Sequence, residues 1–320
     1  MRTVNLLAPL LCRQPPARLI GTFLLAWLAV WSSASASAVE PAVLRVVCAN
    51  TILADIVQQI GGDRVVALSL LRPGIEIHAW EPTPDDLVQI GHAGLVVVNG
   101  LGLEGWLERA LDASGGHAPV VVASTGIDAL AGSGGAAGAA SAASAHGVDP
   151  HAWQDASNGM RYARTICAAL CQVDPPGTSD YRAWTDAYCA QLRVVDAWVK
   201  QQIAALPQER RVLVTSHDAL GYFARAYGME VQTVEGIAPG QEPDAAHIAA
   251  LIAIIKARHV HAVFIEGLAS SAVIASIGEA GGARLGGQLF SDSLAEPPHQ
   301  AATYLGMFLA NARTIVAGLQ

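Results

Sequence analysis

The sequence predicts an α/β protein: two similar lobes with parallel, helix-covered sheets, joined by one long rigid helix. Three observations carry that prediction. Runs such as Leu95–Asn99 and Arg211–Thr215 are continuous in valine and leucine rather than alternating, as strands buried on both sheet faces are. Helix-length segments separate these runs at short spacing, which is the βα alternation of a parallel sheet. Finally, Ser179 to Leu206 holds no glycine or proline, and prolines stand at both ends, Pro175-Pro176 before it and Pro207 after. As one helix it would be about 40 Å long, roughly the height of a domain. It divides the chain into a first lobe at 39–176, a connector at 177–206 and a second lobe at 207–320.

Residues 1–38 are expected to be a secretory signal peptide and not part of the fold. Arg13 and Arg18 precede an apolar run from Leu19 to Trp31, and the small-residue pattern Ala36-Ser37-Ala38 follows. The run is short for a membrane span, and no later stretch reaches the ~20 apolar residues a span needs. Cys12 precedes the apolar run, the wrong side for lipid attachment. Cleavage removes three of the 19 basic residues and no acids, leaving 16 against 27 and a net charge of −11. That balance argues against nucleic acid or an anionic membrane as partner and suits capture of a cation. Of the remaining cysteines, Cys167 and Cys171 lie one turn apart on one helix and Cys189 on the next. In an oxidising compartment a disulfide from Cys189 to one of the pair is expected, with buried free thiols as the alternative. No Cys-x-x-Cys spacing suggests a thiolate metal site.

In the first lobe the strands are Leu44–Ala49, Val65–Leu71, Leu95–Asn99 and Pro119–Ala123. Between them fall helices at Thr51–Gly61, Pro84–Gly91 and Glu104–Ala113. Thr83 is the N-cap of the second, Pro84 its first residue, and Asp85 and Asp86 fill its first turn. The Gly/Ala/Ser tract within 129–147 has no means of building a core and reads as a flexible loop. A helix from Asp155 to Cys171 leads to the connector. The second lobe repeats the pattern. Its strands are Arg211–Thr215, Glu230–Val234, Val260–Ile265 and Leu285–Phe290; its helices begin near His217, Asp244, Ser270 and Ala301.

Candidate functional residues are the metal-capable side chains just past strand ends, where α/β proteins bind ligands. In the first lobe these are His78 and His151, each within a His-Ala-Trp tripeptide; in the second, His217 follows Val212-Leu213-Val214-Thr215-Ser216 and Asp292 follows Leu289-Phe290-Ser291. Each also has a plainer reading. His78 and His151 could be ordinary loop residues, His217 a helix cap, and Asp292 an N-cap or turn residue. Trp80 and Trp153 are expected to pack the loops. Together, three imidazoles and a carboxylate suit a borderline divalent cation such as Zn²⁺, held between the lobes.

Four stretches carry a resemblance: Ile77–Pro84, Asp149–Trp153, Thr215-Ser216-His217-Asp218-Ala219-Leu220-Gly221-Tyr222-Phe223-Ala224-Arg225-Ala226-Tyr227-Gly228, and Phe290–Leu294. In order and across the mature chain, they resemble the signatures of the zinc/manganese-type solute-binding proteins of bacterial ABC importers. The resemblance implies two Rossmann-like lobes, a periplasmic, non-enzymatic receptor acting as a monomer, a divalent metal as cargo, and a membrane permease as partner. Carried over position by position, it implies His78, His151, His217 and Asp292 as the metal ligands. Manganese and iron members usually carry glutamate where this chain has His217, so the resemblance implies Zn²⁺ with Mn²⁺ as the alternative. The His- and acid-rich loop of many zinc members is replaced here by the Gly/Ala/Ser tract with only His146. A zinc hydrolase is the reading from another class, but four protein ligands leave no open water position, and no His-Glu-x-x-His motif is present. A receptor for an organic ligand or metal chelate would leave the His/Asp set without a role.

Overall fold

A computed structural model describes residues 43–132, 147–237, 245–266 and 271–320. The signal segment and the greater part of the Gly/Ala/Ser tract, His146 included, therefore lie outside the described residues. The first lobe opens with β1 (Leu44–Cys48), α1 (Thr51–Gly61), β2 (Val65–Ser69), α2 (Pro84–Gly91), β3 (Leu95–Val98), α3 (Leu107–Ser114) and β4 (Val120–Val122). All pairings are parallel, in the order β2-β1-β3-β4. Val46, Val47, Cys48 and all of β3 are buried, so the two central strands lie between helical layers, whereas the valine run of β4 forms an edge strand with Val120 and Val122 exposed. Thr83 caps α2 in a capping box with Asp86, and Pro84 takes the first turn. The third helix starts later than its sequence suggests. Glu104 is held outside it, because its carboxylate accepts the N–H groups of Asn99 and Gly100 at 2.7 and 2.9 Å.

Two helices follow, α4 (Ala156–Val173) and α5 (Thr178–Ala204), the latter 27 residues without a break. Asp155 caps α4 by accepting from Ser157 N–H at 2.8 Å. Along its length α5 buries Tyr181, Tyr188, Leu192, Val195, Val199 and Ile203. It packs on α1 and α4 from the first half, and on α6 (Gly221–Tyr227) and α9 (Tyr304–Leu319) from the second. Packing on both sides makes it a shared wall, and one apolar core runs from β3 through α5 to Phe223, Phe264 and Phe308.

The second half contains β5 (Val212–Thr215), β6 (Glu230–Thr233), α7 (Ala245–Ala257), β7 (Ala262–Glu266), α8 (Ser271–Gly281) and β8 (Arg284–Leu289). Here β5 pairs with β6 and β7 with β8, both parallel, while β5 packs beside β7. A second, smaller apolar cluster, including Val214, Val234, Leu251, Ile255 and Val263, lies under these strands. The expected helix start at His217 is corrected: α6 begins at Gly221, leaving His217 and Asp218 in a buried loop.

The expected disulfide does not form; Cys48, Cys167, Cys171 and Cys189 are free. The register of the α4–α5 hairpin explains this. Cys171 Sγ lies against the Thr178 carbonyl and Cys189 Sγ against the Met160 carbonyl, which places Cys167 opposite the end of the first turn of α5. Cys189 is thus about two turns past the level of Cys167, about 10 Å along the helix, and a disulfide tolerates a Cα separation of only about 7 Å in all. Thiol titration of the unfolded, unreduced mature chain should count all four cysteines as free; a count of two would restore the bridge.

Candidate metal centre

The strand ends of both halves point their following loops into one place. His78 lies in the loop between β2 and α2. His151 follows the segment that leaves β4, passes Leu130 and returns through an antiparallel bridge of Ala131 with Val148. His217 follows β5 and Asp292 follows β8. Their ligand atoms all lie within 4.8 Å of one another, and among the described residues this is the one His/Cys/Asp/Glu set so arranged. Adjacent donors are closer still. His78 Nε2 is 3.1 Å from His151 Nε2, His217 Nε2 is 3.1 Å from Asp292 Oδ2, and His151 Nε2 is 3.4 Å from Asp292 Oδ1. His78 Nε2 to Asp292 Oδ2 is wider, at 4.0 Å. A tetrahedral ion at 2.0–2.2 Å from each donor would set edges of about 3.3–3.6 Å, so these spacings bracket such an ion.

Each side chain is aimed by its surroundings. Asp149 accepts from both the backbone N–H and Nδ1 of His151, at 2.9 and 2.8 Å. That assigns the proton to Nδ1 and leaves the Nε2 lone pair facing the cluster. The turn before it is tied to the end of β3, where Asn99 Nδ2 donates to the Pro150 carbonyl at 3.0 Å and Tyr162 Oη donates to Asn99 Oδ1. Glu76 accepts from His78 N–H at 2.7 Å. His217 N–H and Nδ1 both face the Glu266 carboxylate at 3.4 Å. As expected, Trp80 packs its loop, edge-on to Trp106, and Trp153 is buried against the His151 ring.

The anchoring is unequal. The Asp292 loop belongs to the second half by sequence but is fastened to the first. Trp153 Nε1 and Gln154 Nε2 both donate to the Ser291 carbonyl at 2.7 Å, Gly74 N–H donates to Ser293 Oγ at 3.0 Å, and Leu294 N–H donates to Thr51 Oγ1 at 2.9 Å. His217 is held by its own half instead. Thr215 Oγ1 donates to its carbonyl at 3.0 Å, and Ser216 O accepts from Glu235 N–H at 2.9 Å.

The electrostatics suit a cation. Burial and then the neighbouring His151 and His217 push His78 down to about 3, keeping its ring neutral. Burial would lower His217 too, but Glu266 and Asp292 overcome it and raise the ring to about 10. Burial would raise the Asp292 carboxyl, yet His217 holds it well below the usual range. His151, also buried, is lifted by its bond to Asp149. His217 Nε2 and Asp292 Oδ1 are buried without a hydrogen-bond partner, though both face the cluster. Ring nitrogens with facing lone pairs and unpaired buried acceptors are costly unless a cation or proton sits among them. Three other described histidines play structural parts: His92 caps α2, His299 accepts from Ala301 N–H, and His247 bonds the Thr233 carbonyl. Three residues carry roles that their residue types alone did not announce: Asp149, Asn99 and Glu266. The signal for Glu266 was an acid closing the apolar strand Ala262–Ile265 at the same sheet edge.

Fold and site together define a metal-binding solute receptor of the kind that serves ABC importers, and not an enzyme. The chain belongs to the ZnuA family, described as zinc-uptake complex component A, periplasmic, which matches residues 46–318. Over 272 residues it is 34% identical to the zinc-binding protein TroA of Treponema pallidum, covering 83% of this chain and 86% of that one. The solved TroA structure superposes with a TM-score of 0.78 at 32% identity, over 86% of this chain and 99% of TroA. The manganese-binding lipoprotein MntA of Halalkalibacterium halodurans is 31% identical over 86% of this chain and 88% of its own length. The iron-binding protein YfeA of Yersinia pestis is 32% identical over 86% of each.

Replacing Trp153 by phenylalanine removes one of the two donors on the Ser291 carbonyl. Denaturant unfolding of the metal-free protein should show a loss of about 1–3 kcal/mol; unchanged stability would mean that this clamp carries no strain between the two loops.

Proposed function

We propose that this protein is a periplasmic receptor that binds Zn²⁺ through His78, His151, His217 and Asp292 and hands it to the permease of an ABC importer. The observation that carries the reading is the donor set itself: three imidazole nitrogens and one carboxylate oxygen at near-tetrahedral spacing. Manganese prefers six ligands, mainly oxygen, whereas four donors dominated by nitrogen match zinc. The relatives are named for zinc, manganese and iron, so the chemistry at His217 is what favours zinc here. The lobes at 39–176 and 207–320 would each supply two ligands, the connector at 177–206 would keep them in register, and residues 1–38 would direct export. Among the described residues no helix is long and apolar enough to cross a membrane, consistent with a receptor that meets its permease by docking.

Mn²⁺ as cargo is the second reading, favoured by the MntA relationship. Elemental analysis of the purified mature protein, with Zn²⁺ and Mn²⁺ in competition, separates the two. Dominant Mn²⁺ occupancy under equal supply would replace zinc in the assignment.

Removing one of four ligands should be visible directly. His217→Ala is expected to weaken Zn²⁺ binding by at least about tenfold in competition titration against a chromophoric chelator. Near-wild-type affinity would take His217 out of the site.

Cation and proton compete for the same nitrogens. His217 in the metal-free site is raised to about 10, and His151 is raised above the ordinary histidine value. His217 therefore holds a proton near neutrality that a binding cation must expel, and the shift at His151 works in the same direction. Zn²⁺ affinity should rise with pH between about 5.5 and 8, by up to about tenfold per unit for each proton displaced. A flat profile over that window would exclude ligation by these imidazoles.

A further inference from the structure

Glu266 ends β7 with its side chain 1% exposed, and it is not one of the four clustered donors. A carboxylate so deeply buried needs a partner that repays its lost hydration. Among the described residues no lysine or arginine is within ion-pair reach of it. What faces it is His217, whose Nδ1 is 3.4 Å from Oε2 and whose backbone N–H points at Oε1, also at 3.4 Å. Glu266 Oε2 is buried without a hydrogen-bond partner among the described residues. The Glu266 N–H donates to Ser216 Oγ at 2.9 Å, which fixes the strand end against the residue preceding His217.

This geometry matters because an imidazole has two ring nitrogens and a rotatable ring. Only one tautomer and one ring orientation present a lone pair to a cation at Nε2. His151 has Asp149 behind it to settle the choice. His217 sits on the opposite wall, and the acceptor behind its ring is Glu266.

We infer that Glu266 is a positioning residue for the cargo: it holds the His217 ring with Nδ1–H turned toward itself and Nε2 turned toward the cation. It takes the place behind the His217 ring that Asp149 takes behind His151, at 3.4 Å from Nδ1 rather than 2.8 Å. A carboxylate in that place raises the basicity of the ligating nitrogen, and losing it costs affinity although no direct bond to the metal is lost.

The assignment rests on the metal-receptor reading, and a double-mutant cycle separates the two. Zn²⁺ affinity is measured by chelator competition for the full mature chain, for Glu266→Ala and Glu266→Gln, for His217→Ala, and for the two combined variants. Glu266→Ala is expected to weaken binding by about 10- to 100-fold, with Glu266→Gln weakened less because an amide oxygen still accepts from Nδ1–H. In the His217→Ala background neither change should shift affinity by more than about threefold, since the group it acts through is gone. An equal loss in both backgrounds, or unchanged affinity in the parent background, overturns the assignment. Thermal unfolding of the metal-free variants checks the fold, and near-isosteric Glu266→Gln completes the cycle if the alanine variant does not fold. A parent chain that fails to bind Zn²⁺ would remove the receptor reading and this assignment together. Binding that depends on His217 but not on Glu266 would remove this assignment alone.

Discussion

The Ser291 carbonyl is the point on which the centre depends. It accepts from Trp153 and Gln154, two and three residues after His151, and it lies immediately before Asp292. Two buried donors on one buried acceptor are strong because neither partner has water as an alternative. The effect is to set a carboxylate from the end of β8 beside an imidazole supplied by the loop after β4. Trp153 is itself held from the other side, where Tyr304 Oη donates to its carbonyl and Tyr304 N–H donates to Asp55 Oδ2 at 2.8 Å. Gly159 allows this arrangement: a Cβ there would meet the Tyr304 hydroxyl oxygen at 2.4 Å. The core, the α4 start and α9 thus converge on one carbonyl beside the donor cluster.

Much of this was legible in the chain because strand ends are legible. Continuous apolar runs locate β1, β3 and β5, and an isolated polar residue just past such a run marks the sheet edge where ligands collect. That rule places His217 and Asp292 directly, and the α2 capping signals fix the loop holding His78. The rule fails where a residue's partner is remote. Nothing local in Leu107–Ser114 says that Glu104 will stay outside the helix to serve Asn99 and Gly100. The disulfide expectation failed for a similar reason. One-turn spacing on α4 is visible in sequence, but the register of α4 against α5 is set by Tyr181, Tyr188 and Leu192 entering the common core. Glu266 was hidden because a charge at the end of an apolar strand usually marks where the strand meets water; here it is buried behind His217.

Burying this much charge needs an explanation in energy. Asp149, His151, His217, Glu266 and Asp292 are all at or near full side-chain burial, from 0% to 14% exposed. Carboxylates taken out of water cost several kcal/mol each unless matched. In the metal-free protein the match comes chiefly from the proton on His217, raised to about 10 by Glu266 and Asp292. A divalent cation among the four donors would supply positive charge at shorter range, so proton and cation would compete as counter-ions for one buried set.

The two halves do not contribute equally to that exchange. His78 and His151 sit on first-half loops, and Asp292 is fastened to the same half by Trp153, Gln154, Gly74 and Thr51. His217 alone is carried by β5 and braced by Glu266 at the end of β7, over the separate apolar cluster beneath those strands. A displacement of β5 relative to the first half would change the His217 distances, whereas β7 is tied through its parallel ladder to β8, the strand that leads into Asp292. With α5 packed along its whole length against both halves, a small shift of that kind costs less than a hinge about the connector, which would expose the shared core. The anchoring thus divides three to one: His217 alone takes its hold from the second half, through Thr215 Oγ1 on its carbonyl and Glu266 beside its N–H and Nδ1.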